Sequence, residues 1–461
     1  MINTLYLPEL REMLVEANSV ELHEFCTALH PARTAEFMEG LTADESWAVL
    51  RHADPALRSQ IFSYFEHEKQ IEILEQQARS EIAQLLTELP ADDRVDLLHD
   101  VNADVVNEIL PLLPVEDRRN ILRLRAYPEH TAGAIMTTEV AILSETLTVR
   151  QALTELSHQA EHLETIYYIY VVDSDDHLRG VVSTRQLVSA IGKPETRLSE
   201  LMETELITVN VLQDREEVVD RVAQFDLLAI PVVDAERRLI GIITHDDVID
   251  VVREEATEDA HLIAGVAPLD DSYLKVDLLT LIWKRAIWLM VLFTAGICTA
   301  FALRHYEDRL TLAIWLIWFL PLVNSSGGNT GNQSATLIIT ALSAGDVSLA
   351  QWRKVMLREL VMGLALGSIM ATLGVIATTM IIPSSPPLAH YLVFPLTLFL
   401  VVLFGTLVGS ILPLLFERMG LDPALMSNPF VAGIMDLLGI TVYLNVAIWL
   451  LTVVSKVVPP G

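Results

Sequence analysis

One acidic residue stands inside the most apolar part of this chain. In Asn428-Pro429-Phe-Val-Ala432-Gly433-Ile-Met-Asp436-Leu-Leu-Gly439, Asp436 has apolar neighbours on both sides and no basic residue within two helical turns. An acid in a membrane-spanning helix costs roughly 2.5–3.5 kcal/mol on insertion scales and usually marks an ion or proton pathway; the bland alternative is a protonated acid hydrogen-bonded inside a bundle. A second unusual run, Pro321-Leu-Val-Asn324-Ser325-Ser326-Gly327-Gly328-Asn329-Thr330-Gly331-Asn332-Gln333-Ser334-Ala-Thr336, puts amides, hydroxyls and glycines into another apolar segment. At membrane depth such a run is tolerated where protein buries it or water lines it. A packing seam explains the glycines but not four Asn and Gln side chains, so a water-lined pathway is the preferred reading. Every group on offer is an oxygen, which selects hard cations such as Mg2+, Ca2+ or Mn2+. Mg2+ sheds water reluctantly and is held through one or two carboxylates, so a single Asp among neutral oxygens suits a hydrated Mg2+ better than a calcium cage.

These groups must be carried by membrane helices. Apolar runs at about 286–303, 310–343, 355–382, 388–416 and 426–455 predict five spans. Basic residues orient them: Lys284, Arg285, Arg353, Lys354, Arg358 and Arg418 fall on one side and Arg304, Arg309 and Lys456 on the other. The positive-inside bias then places the amino terminus in the cytosol and the carboxyl terminus outside. The amino terminus has no basic n-region and no cleavage site, which agrees with a cytosolic first half.

The charge is segregated. The 461 residues carry a net −30, yet from Val276 onward nine basic residues face eight acidic ones, so the whole excess lies on residues 1–275. A surface of this sign repels phosphate backbones and attracts cations, so nucleic acid is not an expected partner. There is no HExxH, no P-loop and no Ser/His/Asp or Cys/His cluster near the polar span, which argues against an enzyme. Cys26 and Cys298 are too few and too distant for a disulfide framework.

Two repeats organise the acidic half. Leu89-Pro90-Ala-Asp92-Asp93-Arg94-Val-Asp96 resembles Leu113-Pro114-Val-Glu116-Asp117-Arg118-Arg-Asn120 at an offset of 24, and Leu41-Thr42-Ala-Asp44-Glu45 lies 48 further back. Each opens with a helix-start signal, which predicts short stacked helices in a small solenoid. Further on, Ile169-Tyr170-Val-Val-Asp173 with Leu178-Arg-Gly180-Val-Val-Ser-Thr184 returns as Ile230-Pro-Val-Val-Asp234 with Leu239-Ile-Gly241-Ile-Ile-Thr-His245, offset by 61 throughout. This duplication of hairpin and helix is similar to a tandem cystathionine-β-synthase (CBS) pair, an α+β regulatory module that often binds adenine nucleotides or ions. After it, Glu254/Glu258 and Glu255/Asp259 stack like charges at i,i+4 on a predicted helix without Gly or Pro. Such pairs oppose a helix by a few tenths of a kcal/mol each unless a cation intervenes.

The order of modules, together with Pro321 and Gly327-Gly328-Asn329-Thr330-Gly331-Asn332-Gln333 in the second span, resembles the MgtE family of magnesium channels over essentially the whole chain. The resemblance implies an all-α superhelical domain at 1–126, a CBS pair at 127–252, a connecting plug helix at 253–275 and a five-helix transmembrane bundle at 276–461. It further implies a homodimer in the cell membrane, with the pore on its two-fold axis between spans two and five and Asp436 as the selectivity carboxylate. Asn332, Thr336, Asn428 and the backbone of Ala432 would bind the waters of the ion. Regulatory Mg2+ would close the channel through Asp92, Asp96, Asp246, Asp247, Asp250, Glu254, Glu255, Glu258, Asp259 and Asp422. ATP at the CBS pair, with Tyr170 as a stacking residue, follows by the same resemblance. The rivals are a proton- or sodium-coupled transporter working through Asp436, and a membrane sensor that transports nothing.

Overall fold

The computed structural model describes residues 5–160, 163–269, 273–274, 276–307, 314–382 and 388–457, the side chains of 388 and 453–457 excepted. The chain divides into two compact units, Met1–Arg253 and Glu254–Gly461.

The first unit opens with ten short helices, α1 (Leu7–Val15) to α10 (Val115–Leu124). The 24-residue repeat marks their starts: α4 (Ala43–Leu50) is capped by Thr42, while α8 (Ala91–Asp100) and α10 begin directly after Pro90 and Pro114. At α4 the Thr42 side chain and Glu45 form a full capping box, satisfying two backbone N–H groups that would otherwise lack partners. From α3 (Pro31–Met38) on, alternate helices pack together, which makes two layers of a solenoid around Trp47, Leu50, Phe62, Ile73, Leu86 and Leu98. That core continues without a break into Met136, Val209, Val218, Ile230 and Ile243, so the helices are built against the second half of the following module.

That module contains two three-stranded sheets, β1 (Val140–Ser144), β2 (Thr165–Val172) and β3 (Leu178–Ser183), then β4 (Val209–Asn210), β5 (Ala229–Val233) and β6 (Leu239–Thr244). In each the first pair is parallel and the second antiparallel. The register repeats the 61-residue offset: Tyr170 faces Val181 and Pro231 faces Ile242. Both hairpins turn through a left-handed residue, Asp176 at φ 61° and Arg237 at φ 65°. Their tips exchange backbone bonds, Leu178 N–H to the Arg237 carbonyl and Leu239 N–H to the Asp176 carbonyl, both 3.1 Å. Helices α11 (Val149–Gln159), α12 (Thr184–Ser189), α13 (Leu198–Leu201) and α14 (Arg215–Phe225) complete the module.

Helix α15 runs from His245 to Ile263. It therefore starts inside the stretch expected to belong to the CBS pair and stops short of the expected residue 275. Gly265 at φ +74° takes the left-handed position after the last turn, and its N–H bonds to the Leu262 carbonyl while Val266 N–H reaches His261 O at 3.0 Å. This is a Schellman ending, reinforced by Pro268.

Among the described residues, the second unit contains five long helices: α16 (Leu278–His305), α17 (Leu320–Ser343), α18 (Trp352–Ile381), α19 (Leu388–Arg418) and α20 (Asn428–Val457). Four of them are long and apolar enough to cross a membrane. The expected fifth, α17, is 24 residues long, about 36 Å at 1.5 Å per residue, but its polar run removes the apolar character of a lipid-facing span. It is instead packed among its neighbours, against α19 and α20. Before it, Ile314–Phe319 forms a 3-10 turn, while residues 310–313 of the expected span, Arg309 and the side chain of Lys456 lie outside the described residues.

Candidate functional site

The polar run of α17 turns two different faces to two neighbours. Gly327 and Gly331 form a seam with α19: a Cβ placed on Gly409 would lie 2.3 Å from the Gly331 carbonyl oxygen, so no larger residue fits without separating the helices. The glycines are thus a packing seam, as the bland reading of that run has it. The next face is different. Asn324, Gly328, Asn332 and Thr336 recur every four residues and form one stripe along α17. On α20, Asn428, Ala432 and Asp436 recur at the same spacing. The stripes meet in antiparallel order. Thr336 Oγ1 donates to Asn428 Oδ1 at 3.0 Å, a Cβ on Gly328 would touch that of Ala432 at 3.5 Å, and one on Gly439 would lie 3.9 Å from Asn324 Oδ1.

Asp436 is half-buried on this stripe and has no hydrogen bond or ion pair among the described residues. The side-chain oxygens of Asn324 and Asn332 are buried without partners. Buried acceptors left unmatched are uncommon in folded proteins and call for an explanation, a bound water or ion being one. Four expected pore residues, Asn332, Thr336, Asn428 and Ala432, therefore share one face pair with Asp436, and Asn324 joins them. Asn324 was legible as part of the polar run, but only the four-residue spacing across two helices singles it out.

The first unit brings a separate set of acids together. Asp92 and Asp93 on α8 face Asp246, Asp247 and Asp250 at the start of α15, with Glu164 just before β2. Asp92 is buried, with one oxygen unpartnered. Burial, then Asp247, Asp93 and Glu164, hold its carboxyl well above the ordinary aspartate value. Asp93 is raised by burial and by Asp246 and Asp250. Burial and the neighbouring acids Asp247 and Glu139 push Glu164 up to about 7. Asp247 rises to about 6, chiefly through burial, although Thr244 bonds to it and resists the shift. The nearest buried cation, Arg94, is engaged by Asp117 at 3.1 Å and by Glu139. Asp96 is exposed one turn beyond Asp92. Asp93 and Glu164 escaped the sequence reading; Asp93 stood beside a chosen residue, whereas no local pattern marks Glu164.

A third group lies in the second unit. Asp259 on α15 accepts from Ser343 Oγ at the end of α17 at 3.1 Å. Burial raises its carboxyl, with Asp422, Glu255 and Glu258 adding to the rise. Asp422 is raised by burial and by Glu255, against the backbone N–H of Ala424 that it accepts. Glu254 is exposed on the same helix.

Tyr170 does not have the open face expected of a stacking residue. It lies in β2 at 2% exposure, packed against Val140, Val172 and Ala229, because β2 is the central strand of its sheet. Its hydroxyl is buried without a hydrogen-bond partner.

Residues 320–446 match the family described as "Divalent cation transporter" (MgtE), residues 29–130 match the MgtE intracellular N domain, and residues 132–193 and 198–254 match the CBS domain. A magnesium transporter MgtE of Thermus thermophilus is 37% identical over 96% of this chain and 98% of its own length. The chain belongs to the MgtE family. A second MgtE, from Bacillus subtilis, is 31% identical over 83% of each chain. Among solved structures, the soluble part of a magnesium transporter is 34% identical with TM-score 0.50, covering 54% of this chain and 97% of that one. The cytosolic domain of the Mg2+ channel MgtE in complex with ATP is 35% identical, also with TM-score 0.50, over 52% and 98%. This MgtE chain is a multi-pass membrane protein of a transporter family, not an enzyme.

Proposed function

We propose that this chain is a Mg2+-selective channel for magnesium uptake, closed by Mg2+ on its acidic cytosolic part. The observation that carries the reading is Asp436, an acid without a partner among the described residues, on the stripe where α20 meets the polar face of α17. Mg2+ keeps most of its water, so the groups that recognise it act on that water. The Asp436 carboxylate supplies the charge. The Asn332 and Asn428 amide oxygens, the Thr336 hydroxyl and the Ala432 carbonyl accept hydrogen bonds from the hydration shell. Asp436 remains half-exposed in the single chain, which supports a homodimer presenting two carboxylates to one ion. The two named relatives from Thermus thermophilus and Bacillus subtilis, both magnesium transporters, support Mg2+ as the ion.

Closure follows from the carboxylate groups. Two unit negative charges 4 Å apart repel by about 1 kcal/mol in water and about 4 kcal/mol at an effective dielectric of 20. Mg2+ among Asp92, Asp93, Glu164, Asp246, Asp247 and Asp250, and among Asp259, Asp422, Glu255 and Glu258, removes that repulsion; Asp96 and Glu254 extend the two sets. A cation that binds the closed arrangement better shifts the population toward it, which gives negative feedback on uptake. The proposed topology has a cytosolic amino terminus and an outer carboxyl terminus. ATP at the CBS pair is supported by the relative solved with ATP.

Single-channel recording of the reconstituted full chain tests the reading. Mg2+ current that is insensitive to pH and Na+ at a fixed Mg2+ gradient, silenced by millimolar Mg2+ on the acidic side and lost in Asp436→Ala, is the expected result. Flux that tracks a proton or sodium gradient would replace the channel by the coupled transporter.

A further inference from the structure

Besides Asp436, one other acid lies well within the described membrane helices. Glu359 sits near the start of α18, in a stretch of basic residues formed by Arg353, Lys354 and Arg358, yet it makes no ion pair among the described residues. Its Oε2 instead accepts from Ser334 Oγ of α17 at 2.9 Å. Its backbone carbonyl lies 3.2 Å from Thr406 Oγ1 of α19, a hydroxyl it shares with the Leu403 carbonyl at 2.9 Å. Ser334 and Thr406 are 5% and 1% exposed, so both bonds are made away from solvent. At Gly363, one turn further along α18, a Cβ would lie 2.4 Å from Thr406 Oγ1, so α18 and α19 touch closely here and hold the Glu359 backbone in place.

The position of Ser334 gives this bond its meaning. Each helical residue turns by about 100°, so Asn332 and Thr336 lie about 40° apart on one face and Ser334, two residues from each, points about 200° away. Helix α17 is therefore pinned on two opposite sides, by Thr336 to Asn428 of α20 and by Ser334 to Glu359 of α18. A rotation that broke one bond would turn the Asn332 and Thr336 stripe off α20.

We infer that Glu359 is a positioning residue for ion passage: through Ser334 it holds α17 in the rotation that presents Asn332 and Thr336 beside Asp436. The inference rests on the stripes of α17 and α20 lining the ion path. What it requires of Glu359 is an acceptor oxygen in a fixed place, not a charge, so the amide is an adequate substitute.

Mg2+ influx into vesicles containing the full-length protein, measured over a Mg2+ series, tests this. Ser334→Ala and Glu359→Leu should each raise the half-saturating Mg2+ concentration about fivefold, as loss of one buried hydrogen bond does, while Glu359→Gln stays within about twofold of the parent. The double variant should be no worse than the poorer single, because both remove one bond. Melting of the detergent-solubilised protein should change little in Ser334→Ala. Glu359→Gln behaving like Glu359→Leu would overturn the inference in favour of a role for the charge. Multiplicative effects in the double variant would also overturn it. Should Glu359→Leu fail to assemble, Ser334→Ala decides alone, and an unmoved half-saturation refutes the inference. Asp436→Ala in the same vesicles separates the two readings. If it conducts normally, the pathway itself is wrong; if it is silent while Ser334→Ala is unchanged, only the role of Glu359 falls.

Discussion

The two halves of this MgtE chain use the carboxylate in opposite ways. In the membrane half a single acid, Asp436, stands among amides, a hydroxyl and backbone carbonyls and has no neighbouring acid on its stripe. In the first unit six acids crowd at the junction of the solenoid and the second CBS repeat, several held above their ordinary ionisation range by burial and by one another. A lone charge among neutral acceptors attracts a cation without keeping it. A crowd of mutually repelling charges is relieved by a cation and changes its own arrangement when the cation leaves. The first arrangement suits passage and the second suits sensing.

The comparison can be broken most directly at the lone charge. Truncating Asp436 to Ala removes the only acid on the stripe, so Mg2+ flux should drop by about a hundredfold or more, the scale of losing one member of a desolvated charged contact. Loss of any one cluster acid should leave maximal flux intact and alter only its control by Mg2+. Equal losses from both regions, read as Mg2+ influx into vesicles, would erase the distinction.

The next effect concerns the glycine seam behind the stripe of Asn324, Gly328, Asn332 and Thr336. Gly409→Ala forces a methyl against the Gly331 carbonyl, and overpacking of this kind costs typically about 1–3 kcal/mol. Melting of the detergent-solubilised protein should fall, while Gly192→Ala, where a Cβ would meet nothing within 4 Å, should not alter it.

The cluster has a pH signature of known sign. Glu164 and Asp247 ionise in the folded protein at about 7 and about 6, above their values in an unfolded chain. Their contribution to stability is full below about pH 4 and is lost as pH rises through 6 and 7. Without divalent cation, melting should therefore fall between pH 5 and pH 8, and Mg2+ should remove the difference by compensating the ionised groups. A melting profile with the same slope in Mg2+ and in chelator would mean that these acids do not bind the ion.

The smallest effect is the sharpest test of crowding. Glu164→Gln removes one repelling charge, so the Mg2+-free protein should melt slightly higher, while the further gain on adding Mg2+ should shrink. An Asp96→Asn control should shift neither by as much, since Asp96 is exposed one turn away.

Much of this arrangement could be read from the chain. The 61-residue repeat appears in the strand registers residue for residue, because alternating apolar runs and a fixed hairpin length leave one way to pair. The 24-residue repeat located helix starts because capping chemistry is local. The end of α15 was readable in principle from Gly265 and Pro268, yet the run of helix formers before them drew the expected boundary too far. Glu164 and Glu359 were not legible at all, since their partners are distant: Asp247 across the module for one, and Ser334 on another helix for the other. Tyr170 looked like a surface ring by analogy, but the central strand of a sheet buries whatever it carries.

The exchange of bonds between the two hairpin tips has a consequence for symmetry. It is the mark of a pseudo-dimer fused into one polypeptide, so the strand register of the first repeat has a counterpart in the second. The counterparts are not equal: the position occupied by Tyr170 in one is Pro231 in the other. The first carries a buried hydroxyl with no partner among the described residues, the second a ring with neither donor nor acceptor. A duplicated frame thereby holds two chemically distinct halves, and a change made at one position has no mirror at the other.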